Sequence, residues 1–386
     1  MNRLSTNRPS KFTVKGRPFS LTALLTLLFA AASLLLQLAA RRIPGFGQWY
    51  AVTIYPMITG SLGRFMGIFP FSITELGLYL LIILFIVSLV RSWPRPLKIL
   101  GRLLLGASLL LFLFTLNCGI NYYRQPFSAL SGLTVQPSSS QELYDLCSWL
   151  AAQIQDCVQE LSSEENGFPG QTSREPLPSF PKLLEYGRQG QMAMEQIGEE
   201  FPALAGFYPS PKPLLLSRIL SVQQLCGIYS PFTVEANYNR EMPLYNIPHT
   251  ICHELSHLRG FMREDEANFI GYIACIRSDD LYFRYSGYLM GWVYAGNALA
   301  QADPEGFASL RASLPQAALT DLSYNNAYWD SFQGTVAEVS TKVNDTYLKL
   351  QDQQDGVQSY GRAVDLMLAY YRQQAVTASF GGSPTE

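Results

Sequence analysis

The residues His253-Glu254-Leu255-Ser256-His257 hold the densest chemistry in the chain. On an α-helix, positions i and i+4 share a face, so both imidazoles can reach one ion. Zn²⁺ accepts such nitrogens at about 2.0–2.1 Å. Glu254, beside the first histidine, is placed to take a proton from a metal-activated water and return it to a leaving amine. An HExxH string alone is a weak signal and needs context. Ile251, Cys252, Leu255 and Leu258 supply an apolar setting, and Gly260 can end the helix and turn the chain back. His249 completes the histidines of this sequence and falls on the same stripe, where it reads as a neighbour of the metal cleft rather than a ligand.

The next residues, Glu264-Asp265-Glu266-Ala267-Asn268, can start a second helix. Glu264 and Asn268 would then share a face, with Glu264 as third zinc ligand and Asn268 supporting a ligating histidine. Glu266 is the competing ligand, since two residues apart on a helix cannot both point at one ion.

These elements need a domain to hold them. Residues 141–161 carry an apolar stripe of helical period, and helices are expected at 183–199, 248–259, 264–278, 281–301, 335–351 and 359–371. The segment 227–239 reads as one or two strands with a turn at Pro231, and 232–238 is the candidate edge strand for substrate backbone. The fold class is α+β, mostly helical. Tyr360, Arg362 and Tyr238 are candidates for the donor that stabilises a tetrahedral intermediate. Gln333, Asn344 and Asp345 carry no distinguishing signal.

Three apolar runs, 21–40, 73–90 and 103–120, precede this domain, each long enough to span a bilayer as a helix. Residues 1–140 contain 13 Lys+Arg and one acid, Glu75, of the chain's 28 and 30; residues 141–386 therefore hold 15 and 29. A basic, apolar part followed by an acidic one describes an anchor and a soluble domain. It excludes a nucleic-acid binder, whose basic residues belong on the folded domain. The first run is long for a signal peptide, and an uncleaved span is expected. Lys/Arg counts put the N-terminus and the 91–102 loop inside, and the C-terminal domain outside the cytoplasmic membrane. The organisation expected is a membrane anchor over 1–123, a linker over 124–140, a zincin-like catalytic domain over 141–375 and a flexible tail over 376–386. The apolar connection between the first two spans reads as interfacial or re-entrant. Cys147 and Cys157 are near enough in sequence to suggest a pair.

HExxH followed by Glu-x-x-Ala-Asn resembles the gluzincin metallopeptidases. That resemblance implies His253, His257 and Glu264 as zinc ligands, Glu254 as base and Asn268 as support. More widely, the chain resembles a bacterial membrane family known as domain of unknown function 3810. The apolar spans, Gly227-Ile-Tyr-Ser-Pro-Phe-Thr-Val-Glu-Ala-Asn, the motif block through Phe269, and Val343-Asn344-Asp345-Thr346-Tyr347-Leu348-Lys349 carry it. It implies no substrate.

The function expected is a membrane-anchored zinc peptidase acting outside the hydrocarbon core on a peptide or an exported or membrane protein. Two alternatives stand beside it. One is a sensory or structural membrane protein that keeps the fold without catalysis. The other is a zinc hydrolase of a cell-wall amide.

Overall fold

The computed structural model describes residues 21–93, 96–163, 177–350 and 360–381. The basic tail before residue 21, most of the 162–180 loop and the last residues of the 376–386 segment lie outside this set.

Three helices, Leu21–Arg42, Ile73–Arg91 and Pro96–Tyr123, are long and apolar enough to cross a membrane. The third starts at Pro96 rather than at 103. Proline fits a first helical turn, where its missing N–H has no partner to lose. Lys98 and Arg102 thus extend that helix instead of forming a loop.

The connection between the first two spans is mostly helical, running through Phe46–Thr53, Tyr55–Ile58, a π-turn over Thr59–Gly63 and Arg64–Gly67. It packs on both parts of the molecule. Tyr50 donates to the Leu116 carbonyl of the third span, and the Tyr55 and Tyr229 hydroxyls lie 2.8 Å apart.

Two carboxylates fasten the second span to the domain. Glu75, the lone acid of the anchor, is buried in its first turn and accepts the N–H groups of Leu215 and Leu216, each at 2.8 Å. Glu235 reaches the other way. It accepts the N–H of Ile73 at 3.1 Å and of Thr74 at 2.8 Å, at the helix end where negative charge is favoured. Lys212, also buried, pairs with Glu235 at 2.5 Å.

The domain is helical around one small sheet. Strands β1 (Lys212–Pro213), β2 (Gly227–Ser230) and β3 (Glu235–Tyr238) lie in the order β1-β3-β2, with β3 parallel to β1 and antiparallel to β2. The motif helix Asn246–Leu258 lies beneath the sheet, and all of its residues except His253 are buried. Helices Phe180–Glu200, Glu264–Ile276 and Leu281–Ala302 surround it. The 124–140 stretch contains a short helix, Phe127–Ser131, and Phe127 is fully buried against Phe261 and Phe269.

Two sequence expectations are corrected. The 232–238 segment does not form an edge: β3 is the central strand, and β2 is the edge next to the motif helix. Cys147 and Cys157 do not pair. Both lie on the single helix Ser140–Ser163, ten residues and about 15 Å apart along its axis, far beyond disulfide reach.

Candidate metal centre

The motif helix ends in a Schellman turn. The Phe261 N–H returns to the Ser256 carbonyl at 3.1 Å and the Gly260 N–H to His257 at 2.9 Å. Gly260 takes φ +91°, a conformation glycine alone adopts without strain. The chain reverses here, and the next helix begins at Glu264. Its first side chain is thereby aimed back at the histidines.

Three ligand atoms converge. His253 Nε2 and His257 Nε2 are 3.1 Å apart; His253 Nε2 lies 3.3 Å from Glu264 Oε2, and His257 Nε2 lies 3.6 Å from Glu264 Oε1. Bonds of about 2.0–2.1 Å at tetrahedral angles would put ligand atoms about 3.3 Å apart. The triangle therefore fits a zinc ion. Two nitrogens and a carboxylate oxygen are the donors of an open, three-ligand site. Among the described residues, this is the cluster of His, Cys, Asp and Glu side chains compact enough to hold a metal.

The ring orientations suit the same role. His257 Nδ1 lies 2.8 Å from the Phe261 carbonyl, so the proton resides there and Nε2 is left as the bare nitrogen. The Asn268 side chain hydrogen-bonds His253, and Tyr294 donates to Asn268 Oδ1 at 3.2 Å. His249 stays outside the triangle, with Nε2 at 3.2 Å from the Asn268 carbonyl. Glu266 turns away from the metal centre: its carboxylate accepts the Phe127 N–H at 2.9 Å and meets Arg263 at 3.2 Å. Of the two rival acids, the fold brings Glu264 to the histidines.

Electrostatics show where a positive charge is wanted. Burial pulls His257 down to about 4 and His249 down to about 3. Burial also opposes the charge on His253, but Glu264 and Glu254 outweigh it and hold that imidazole above its ordinary value. Glu264, for its part, is pushed up by burial and pulled down further by His257 and His253, to about 2. The carboxylates thus favour positive charge at His253, beside the place where the ion would sit. Burial, reinforced by Glu264, raises Glu254 to about 8.

Glu254 packs against the edge strand. A Cβ on Gly227 would fall 2.6 Å from Glu254 Oε1, so only glycine fits beside the carboxylate. The Tyr229 N–H points at the same group, while Oε2 is buried without a protein partner. Backbone groups alternate direction along a strand. Ser230 and Cys226 turn their carbonyls toward β3, so the N–H and carbonyl of Gly227 point away from β3, out of the sheet edge.

All of this lines a cavity of about 1570 Å³. One wall was not foreseen. Phe114, Cys118 and Tyr122, at the end of the third span, line the same cavity as His253. The motif is remote from any span in sequence but not in space. Tyr347, Asn344 and Tyr294 line it too. Tyr122 donates to the Tyr347 hydroxyl at 3.0 Å.

The expected donors fare differently. Arg362 is exposed, pairs with Asp265 at 3.1 Å and is not among the cavity-lining residues. Tyr238 is fully buried and donates to the Leu183 carbonyl at 2.6 Å. Asp345 pairs with Lys349 at 2.6 Å. The Tyr360 side chain lies outside the described residues. Nothing in the spacing distinguished Tyr122, Tyr294 or Tyr347 from the chain's other tyrosines. Gly227 had a signal, as the residue opening the strand segment.

No characterised protein and no solved structure matches the chain. The profile of one family, "Protein of unknown function (DUF3810)", matches residues 50–368. That range begins in the connection after the first span, takes in the other two, and holds the whole ligand triangle and every cavity residue named above. The chain belongs to the DUF3810 family.

Proposed function

We propose that this protein is a membrane-anchored zinc peptidase. The observation that carries the reading is the triangle of His253, His257 and Glu264 with the Glu254 carboxylate beside it. His253, His257 and Glu264 would hold the ion. Bound zinc would supply Lewis-acid polarisation of the scissile carbonyl and acidify a water molecule.

The chain's own groups do the remaining work. Glu254 accepts the proton of the attacking water through its unpartnered Oε2 and delivers it to the departing amine. The free edge of β2, with Gly227 turned outward, offers hydrogen bonds to an extended peptide backbone. Asn268 and the Phe261 carbonyl keep the histidines in place. An intact general base argues against a purely structural or sensory role, which needs none.

The charge distribution supports an orientation with the N-terminus in the cytoplasm and the domain outside the cytoplasmic membrane. Anchor residues to about 123 and a catalytic domain over 141–375 remain our division of the chain. Substrates are peptides or exported or membrane proteins.

The test uses full-length protein in detergent or nanodiscs. Metal analysis is expected to find about one zinc per chain, lost in His253→Ala. Hydrolysis of a peptide library is expected to fall by about 10²- to 10⁴-fold in Glu254→Gln while zinc remains. Wild-type protein that binds no zinc would refute the reading.

A further inference from the structure

Helix Thr335–Leu350 carries a stripe that the fold does not cover. Val336, Val339, Val343 and Leu350 are 57%, 53%, 63% and 67% exposed. At 3.6 residues per turn they fall within an arc of about 60°. Ala337 and Leu348 are buried and lie roughly 140° away around the axis. Glu338, Lys342, Asp345 and Lys349 make a third, charged strip. The helix therefore has one face for the protein, one for water and one apolar face left over.

What covers that face follows from where the helix is held. Its last turns sit on the ends of two spans. Tyr347 lies 3.4 Å from Cys118 Sγ, receives the Tyr122 hydroxyl and meets the Phe114 ring edge-on at 6.1 Å. Arg41, at the end of the first span, donates to the Leu350 carbonyl at 3.4 Å and to the Tyr123 hydroxyl at 2.6 Å. The same end of the spans bears Trp49, Val52, Met57, Phe65 and Ile68, all exposed on the first connection. Exposed apolar side chains at the level where spans leave the bilayer match an interfacial belt.

We propose that Thr335–Leu350 is an in-plane membrane helix. Its Val336–Val339–Val343–Leu350 stripe rests in the headgroup and acyl boundary, and its charged strip faces water. This rests on the three spans, not on zinc or peptidase activity. Its consequence reaches the cavity, because Asn344 and Tyr347 of this helix line it. One wall of the cavity is then held by lipid.

The test places a coumarin-bearing amino acid, by amber suppression, at Val339, Val343, Glu338 or Lys342 of the full-length protein in phosphatidylcholine/phosphatidylglycerol vesicles. Leu104, exposed on the third span, is the lipid-facing reference. Acyl-brominated phosphatidylcholine is expected to quench the probes at 339 and 343 at least half as strongly as at 104, with little quenching by aqueous iodide. Positions 338 and 342 are expected to behave the opposite way. Iodide quenching at 339 and 343 equal to that at 342 would put the stripe in water and overturn the proposal. Probes at 339 and 343 reached by neither quencher would mean that protein covers the stripe, which also overturns it.

Discussion

Replacing Gly227 with alanine probes the proposed general base without touching a metal ligand. The added Cβ would meet Glu254 Oε1 at 2.6 Å, Glu254 Cγ at 2.8 Å and Thr250 Cγ2 at 2.8 Å. Ordinary contact begins near 3.4 Å, so the carboxylate must retreat by roughly 0.8 Å. A displacement of about 1 Å in a reacting group costs on the order of 10²-fold in rate. We therefore expect Gly227→Ala to slow peptide hydrolysis by about 30- to 100-fold with zinc stoichiometry unchanged. Glu254→Gln should cost more, because it removes general-base catalysis worth about 10²- to 10⁴-fold. The assay is turnover of internally quenched peptides, with metal content measured on the same samples. The double variant is decisive, since residues acting as one unit are not additive. If the alanine acts through Glu254, adding it to Glu254→Gln changes little. A further 30-fold loss in the double variant, or a loss of zinc in Gly227→Ala alone, would refute the reasoning.

Four further outcomes are expected. Glu264→Gln should weaken zinc binding by at least about 100-fold, since structural zinc sites owe about 10–16 kcal/mol to their donors together and this site has only three. Glu266→Gln should keep zinc but lower the melting temperature, because it disturbs the buried contacts to Phe127 and Arg263; competitive chelator titration and thermal unfolding separate the two. Zinc affinity should rise with pH through neutrality. His253, raised above its ordinary value, must lose a proton to ligate, whereas His257 near 4 is already neutral and Glu264 near 2 already ionised. The slope should approach about tenfold per pH unit below the His253 pKa and flatten above it; affinity independent of pH from 5.5 to 8 would contradict this. Glu235→Ala should destabilise the chain by about 3–5 kcal/mol by leaving Lys212 buried without its partner. Thermal unfolding in detergent checks that, and Glu235→Ala combined with Lys212→Met should recover part of the loss.

Local chemistry was legible where a periodicity or a turn residue announced it. The i, i+4 histidines, the helix stop at Gly260 and the restart at Glu264 could all be read in order, because one helix, one turn and one helix place all three ligands. The choice between Glu264 and Glu266 stayed open in the sequence and was made by the fold. A side chain in the first position of the second helix faces back along the turn, and one two positions later does not. What stayed hidden depended on long-range packing. The Tyr122–Tyr347 contact joins residues 225 apart, and no spacing rule reaches that far. The edge strand was misassigned because β1 is only two residues long, too short to show as a strand, and its pairing turns β3 into the centre of the sheet. Arg362 looked available because its partner Asp265 was read only as part of an acidic helix start.

The Glu75 and Glu235 contacts have a geometric consequence. Each carboxylate grips backbone N–H groups on the opposite part of the molecule, one upward and one downward, at the same helix end. A domain clasped in that way cannot swing on a tether. The candidate metal centre is therefore mounted at a fixed height over the span ends, with the end of the third span as its footing. Under the proposed peptidase function, a chain entering it would be met at a set distance from the span ends, as if against a gauge, and that distance would select among substrates before any side chain does.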